Sequence, residues 1–214
     1  MKVAMVSTGL PTKCGVALCT GRLCNALSGN VSLFLLTDHN CWKKGSFKTP
    51  LRILRSLVEI KPDIVHIQFE YMLFGKGEYA VGVLLLILLL KLLGKKTVIT
   101  MHSVLHLSLM KPSFFKTYTG SGRFSYVKRL GVIAATGLLK YSNAIIVHTE
   151  SSRIVLARCY GINREKIFKI PIMALMGPAE KTCREAKQKL GLEGKVVLLF
   201  AGYIKPVKGL AYLL

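Results

Sequence analysis

Acidic side chains are scarce in this chain: 10 Asp and Glu stand against 31 Lys and Arg, a formal net charge of +21 over 214 residues. From Tyr79 to Thr149 there is no acidic residue at all. Aspartate is rarest, present only as Asp38 and Asp63 with no Asp-x-Asp pair, so a divalent metal held by paired aspartates has no obvious ligands. The cysteines (Cys14, Cys19, Cys24, Cys41, Cys159, Cys183) include no Cys-x-x-Cys and no metal spacing. They read as reduced thiols of a cytosolic protein rather than as a disulfide scaffold. Gly9 and Gly15 are six apart with Val after the second, so neither GxGxxG nor GxxxxGK[ST] is present. Without that fingerprint, Asp38 at the end of a strand is weak support for a dinucleotide site. The N-terminus lacks the charged-then-apolar pattern of a secretory signal.

Long apolar runs are missing too. The uncharged stretch Tyr79 to Leu90 is twelve residues, whereas a bilayer crossing needs about 20. It reads as a buried or interfacial helix. What the chain does have is a hydrophobic half (51%), enough for one full core and part of another, which excludes disorder. The positive excess favours anionic partners such as phosphates, nucleic acid or anionic lipid, and says nothing about fold.

The first fifteen residues organise the rest. Lys2 to Val6 is a strand, Thr8 to Gly15 a punctuated loop, and a helix continues to about Ala26. Further strands are expected at Val31–Leu36, Asp63–Phe69, Thr97–Met101, Ala144–His148 and Lys166–Ile170, alternating with helices over 48–60, 78–91, 126–139 and from the Thr149 cap to Gly161. Ser103 to Ser125 reads as a long irregular segment rich in aromatics. Ile172 to Ala179 reads as a linker, Glu180 to Leu190 as an amphipathic helix, Lys195 to Phe200 as a new strand, and 209–214 as the start of a helix. The fold class is therefore α/β, a doubly wound parallel sheet in 1–175, followed by the beginning of a second, truncated domain in 176–214.

In a doubly wound sheet ligands bind beyond the carboxyl ends of the strands. The order expected here makes the first and fourth strands neighbours, which sets His102 beside the Thr8–Gly15 loop, with Glu70, His148 and Glu150 along the same edge. A strand-end histidine is equally compatible with a satisfied structural group, and Glu150 with an acid in a helix's first turn. A second loop, Ala201 to Gly209, offers Gly202, Lys205 and Lys208 ahead of a helix N-terminus, a combination that suits a diphosphate or a solvated basic turn.

Six segments, PTKCGVA (11–17), PDIVHIQFEYMLFG (62–75), VITMHS (98–103), AIIVHTESS (144–152), KIFKIP (166–171) and LLFAGYIKPVKGL (198–210), resemble in content and order the retaining GT-B glycosyltransferases of the "glycosyl transferases group one" class. The resemblance implies two Rossmann-like domains: an acceptor-side domain in 1–175 and the start of the nucleotide-sugar-binding domain in 176–214. It implies transfer of a sugar from a nucleotide-sugar to a lipid or glycan acceptor with retention, without a metal or other cofactor. By the same resemblance His102 lines the sugar pocket as the catalytic residue, Gly15, Lys205 and Lys208 meet the donor diphosphate, and Glu70 and Glu150 lie on the acceptor side.

The chain departs from that family at four places. One glycine replaces two in the first loop, Tyr203 stands where Arg is usual, Ile172-Met173 replace His-Gly, and the ExxxxxxxE segment is absent. The expectation is half a transferase, incomplete and inactive alone, whose other half follows in the same chain or forms a separate one. The alternative is a non-catalytic basic module for anionic membrane or nucleic acid, although no nucleic-acid-reading motif is visible. Basic residues interleave with Phe114, Phe115, Tyr118, Phe124 and Tyr126, which suits a peripheral position on the cytoplasmic face of an anionic membrane or a core with solvated lysines.

Overall fold

Short apolar runs bounded by turn residues become the strands of one parallel sheet. The computed structural model describes residues 1–12, 14–41, 46, 48–71, 73–74, 77–119, 122–172, 181–200 and 210, with backbone alone for 77–81, 118 and 119. The chain forms two compact units, Met1–Met173 and Ala174–Leu214. In the first, β1 (Lys2–Val6), β2 (Ser32–Leu36), β3 (Ile64–Phe69), β4 (Lys96–Met101), β5 (Ala144–Val147) and β6 (Ile167–Lys169) make a six-stranded sheet in the order β2-β1-β3-β4-β5-β6. Every pairing is parallel. The helices are α1 (Gly15–Leu27), α2 (Thr49–Ile60), α3 (Gly77–Leu92), α4 (Pro112–Thr119), α5 (Ser125–Gly137) and α6 (Glu150–Tyr160). This is the α/β doubly wound fold expected from the strand–helix alternation.

The strand order corrects one expectation. The first and fourth strands are not neighbours, because β3 lies between them. Strand–helix alternation is common to both doubly wound orders, and only the side to which the second crossover returns distinguishes them. Here the chain steps from β1 out to β2, returns across β1 to β3, and continues outward. The switch point is thus the β1/β3 crevice.

Helix ends follow local chemistry. The Cys14 thiol caps α1, accepting from the Ala17 backbone at 3.3 Å. Pro50 sits in the first turn of α2, which closes on Lys61 in the left-handed region (φ 51°) just before Pro62. Thr149 caps α6 by accepting from Ser152 N at 3.1 Å, and Gly161 ends it at φ 64°. The apolar stretch 79–90 forms α3, whose Val83, Leu84, Leu86, Ile87 and Leu90 are buried against the sheet. Among the described residues no helix is long and apolar enough to cross a membrane.

Ser103 to Ser125 is less irregular than its sequence suggests. It contains a 3-10 turn at Leu107–Leu109 and the helix α4, with Met110 and Phe115 buried and the Phe114 and Phe115 rings packed edge to face. Eight residues are too few to display a helical period. The aromatics of this region divide: Phe115 is core, whereas Phe124 (71% exposed) and Tyr126 (70%) face solvent.

The second unit contains α7 (Cys183–Lys189), started by a reciprocal cap in which Glu185 N donates to Thr182 Oγ1 and Thr182 N to Glu185 Oε2 at 2.7 Å. The bonds that Thr182 N and the Thr182 hydroxyl donate to Oε2 hold the Glu185 carboxyl below the usual range. Lys195 to Phe200 is not a strand: it pairs with nothing among the described residues, and Val196 is 93% exposed. An apolar run supplies the propensity for a strand, but a ladder also needs a partner. The expected linker at 172–179 (beyond Ile172), loop at 201–208 and helix at 209–214 (except Leu210) fall outside the described residues, and with them Lys205 and Lys208.

Candidate active site

The site is built where β1, β3, β4 and β5 end. Ser7 and Thr8, both fully buried, follow β1; the Ser7 hydroxyl meets Thr20 Oγ1 of α1 at 2.8 Å, and Thr8 Oγ1 lies 3.4 Å from Cys14 Sγ. The two glycines of this loop are different cases. A Cβ on Gly9 would stand 2.6 Å from Thr37 Cγ2, so close packing requires that glycine. A Cβ on Gly15 would meet nothing within 4 Å, so nothing in the chain itself requires it. Gly15 opens α1, whose first turn carries no acidic residue, so beyond the Cys14 cap no side-chain carboxylate of that turn competes for the positive end of the helix dipole. The Asp38 carboxylate accepts from Gly9 N at 3.2 Å and so braces the first loop.

Beyond β3 and β4 the polar groups join in a chain. His66 and Gln68 alternate with Val65, Ile67 and Phe69 along β3, so they share the opposite face, and Gln68 stands in register with Thr100 of β4. His66 Nε2 is 2.8 Å from Thr100 Oγ1 and 3.2 Å from Gln68 Nε2. Gln68 Oε1 is 2.8 Å from Nε2 of His102, the residue after β4. Gln68 Nε2 also donates to Met5 Sδ at 3.5 Å, which connects β1, β3 and β4 across the switch point. His102 is therefore joined to β1 through Gln68 rather than by lying directly beside the first loop.

His148, just past β5, sets its ring 5.1 Å from that of His102 and donates from Nδ1 to Ile170 O at 2.9 Å. Its Nε2 is buried with no partner among the described residues. Burial pushes the His66 imidazole down to about 4. Burial does the same to His102, helped by the neighbouring His148 and His66, and also brings it to about 4. Both rings are consequently neutral at physiological pH.

Glu70 follows β3, half-buried, with its carbonyl accepting from Leu73 N at 2.9 Å. Glu150, in the first turn of α6, faces three cations: Arg164 at 3.3 Å, Arg153 at 3.9 Å and Lys169 at 3.9 Å. The geometry thus brings together His102 and His148, ties Glu150 into an ion-pair cluster, and leaves Gly15 on the first helix. Reading the sequence overlooked His66 and Gln68 as members of the site. The signal was present: two polar residues at i and i+2 in DIVHIQF, inside a strand whose other face is wholly apolar. Among the described residues no three of His, Cys, Asp and Glu are grouped so as to hold a metal ion.

A six-stranded parallel sheet covered by helices, with polar groups at the strand carboxyl ends, is the Rossmann-like architecture of a GT-B N-terminal domain. The profile of glycosyltransferase family 4 matches residues 29–172, more than half of the chain, and the chain belongs to that family. The matched span includes β2 to β6 and His66, Gln68, Glu70, His102, His148 and Glu150; the first loop and the second unit lie outside it. No curated protein matches the chain.

Proposed function

We propose that this chain is the acceptor-side half of a transferase that moves a sugar from a nucleotide-sugar to a lipid or glycan acceptor with retention of anomeric configuration. The observation that carries the reading is the neutral His102 at the sheet's carboxyl edge, linked through Gln68 to the strand that feeds Gly15 and the open end of α1. A neutral imidazole accepts a hydroxyl without adding charge, and a helix N-terminus suits a diphosphate. Charge developing on the leaving diphosphate would be met by the α1 dipole near Gly15 and by Lys205 and Lys208, in place of a metal. Glu70 and Glu150 border the acceptor side, where Glu150 would orient its three cations toward an anionic acceptor. The region from 176 on would begin the donor domain, its remainder in the same chain or a partner chain. Family membership favours this reading over a non-catalytic basic module.

The test is transfer of radiolabelled sugar, with calorimetry of nucleotide-sugar binding, for the chain alone and for the chain followed by its downstream reading frame. Transfer by the longer protein is expected. The absence of both transfer and binding in the longer protein overturns the proposal. Gly15→Ala should weaken nucleotide-sugar binding at least tenfold with no loss of stability, since its Cβ meets open space within the protein.

The lipid acceptor would be presented at an anionic cytoplasmic membrane face. Exposed Phe124, Tyr126, Val127 and Leu130 at the start of α5, with Arg123, Lys128 and Arg129 among them, support that part of the reading. Sedimentation with anionic vesicles but not with neutral ones is expected. Equal binding to both, or to neither, reduces the patch to ordinary surface.

A further inference from the structure

Two imidazoles stand together at the sheet edge, and the hydrogen-bond geometry fixes which nitrogen of each carries the proton. The Met5 thioether can only accept. The Gln68 nitrogen 3.5 Å from it must therefore be the NH₂ end, which also lies 3.2 Å from His66 Nε2. The Gln68 carbonyl oxygen then faces His102 Nε2 at 2.8 Å, and since a carbonyl only accepts, that nitrogen carries the proton. In a neutral ring the remaining nitrogen, Nδ1, holds a lone pair. His148 has the opposite assignment: Nδ1 donates to Ile170 O at 2.9 Å, so in the neutral ring it is Nε2 that holds the lone pair, buried and without a partner among the described residues.

We propose that Gln68 is a positioning residue of the sugar site: oriented by Met5, it locks His102 in the Nε2–H tautomer, so that His102 Nδ1 and His148 Nε2 are a pair of acceptors for hydroxyl groups of the ligand. This inference rests on the transferase reading and goes beyond it in assigning the ligand's hydrogen-bonding character at this point. Two lone pairs cannot satisfy each other. The donors have to come from outside the pair, and among ligand groups a polyol supplies them whereas a carbonyl or carboxylate does not. Protonating His102 would supply a donor instead, but burial, with His148 and His66 close by, holds that ring neutral down to about pH 4. Among the described residues, the titratable groups that act on His102 are His66 on β3 and His148 after β5.

Long-range ¹H–¹⁵N correlation of the histidine rings at pH 7 reads the tautomers directly in the ¹⁵N-labelled chain. Wild type should show His102 with Nε2 protonated and Nδ1 bare, and His148 with the reverse. Gln68→Leu should turn His102 into a tautomer mixture. Gln68→Glu, whose carboxylate still accepts from Nε2–H, should restore the single form. Met5→Leu, which keeps the volume and removes the sulfur, should weaken the lock, and is the variant to read where Gln68→Leu fails to fold. A His102 protonated at Nδ1 in wild type overturns the proposal, as does a tautomer unchanged in folded Gln68→Leu.

With UDP-glucose and GDP-mannose as probes on the longer protein, Gln68→Leu should lower kcat at least tenfold with KM for the donor nearly unchanged, and Gln68→Glu should recover part of it. Wild-type protein with the expected tautomers but neither transfer nor nucleotide-sugar binding would refute the transferase reading while leaving the lock itself standing. Transfer unaffected by Gln68→Leu would remove its positioning role.

Discussion

The two faces of the sheet are built from the same strands and do different work. On one face Ala4, Val6, Val65, Ile67, Phe69, Ile99, Met101, Ile145 and Val147 join a single apolar core under α2, α3 and α5. On the other, Met5, His66, Gln68 and Thr100 are also buried but bonded to one another. Burial alone therefore does not separate packing from function in this domain. What separates them is specification: the apolar face needs only volume and shape, whereas each polar group must find a donor or acceptor, since leaving one unpaired costs about 1–3 kcal/mol. That requirement gives His102 a defined tautomer and puts the site at the end of the polar face.

The largest effect should come from the apolar face. Phe69 is wholly buried, with Tyr71 edge-on at 5.3 Å and Phe74 stacked at 6.1 Å. Phe69→Ala should cost about 3–5 kcal/mol, read from the urea midpoint at unchanged m. A much smaller loss would mean that the face is less tightly packed than its burial indicates.

Acid should act on the polar face instead. The folded-state pKa values of His66 and His102 are depressed to about 4 from 6.5, so the unfolded chain takes up protons that the folded one refuses. Stability is then full above pH 6.5 and falls as the pH drops toward 4, by on the order of 3 kcal/mol from His66 alone. His66→Asn should flatten that stretch of the unfolding-versus-pH curve. A curve of unchanged slope would show that His66 is already charged, or already solvated, in the native state.

Most of this comparison could be read from residues, and the part that could not has a physical cause. The strands were legible because KVAMV, TVITM and AIIV are apolar runs between turn residues, and α6 because Thr149 and Gly161 mark both ends. Strand order was not legible: alternating elements are silent on which side of β1 the second crossover returns. Lys195 to Phe200 misled because propensity is local while pairing is not. Of the site, His102 and His148 were visible as strand-end histidines. The Gln68 link was hidden because Met5, Gln68 and His102 are far apart in sequence and meet only through the β1/β3/β4 register. Lys205 and Lys208 rest on sequence alone.

The smallest effect gives the sharpest test, because it turns on sign. Thr97 and Thr100 lie three residues apart on β4, on opposite faces, and both are buried. Thr100 Oγ1 has a partner in His66 at 2.8 Å; Thr97 Oγ1, on the apolar face opposite Val65, has none among the described residues. Valine closely matches threonine in shape and removes only the hydroxyl. At Thr97 that relieves a buried, unsatisfied group and should stabilise the domain by about 1 kcal/mol; at Thr100 it breaks a hydrogen bond to the histidine and should cost about 1 kcal/mol. Chemical denaturation of the two variants side by side gives the difference, which any error common to both leaves intact. Were Thr97→Val to destabilise as much as Thr100→Val, the Thr97 hydroxyl would have a partner, and the division between a face that packs and a face that bonds would not hold along β4.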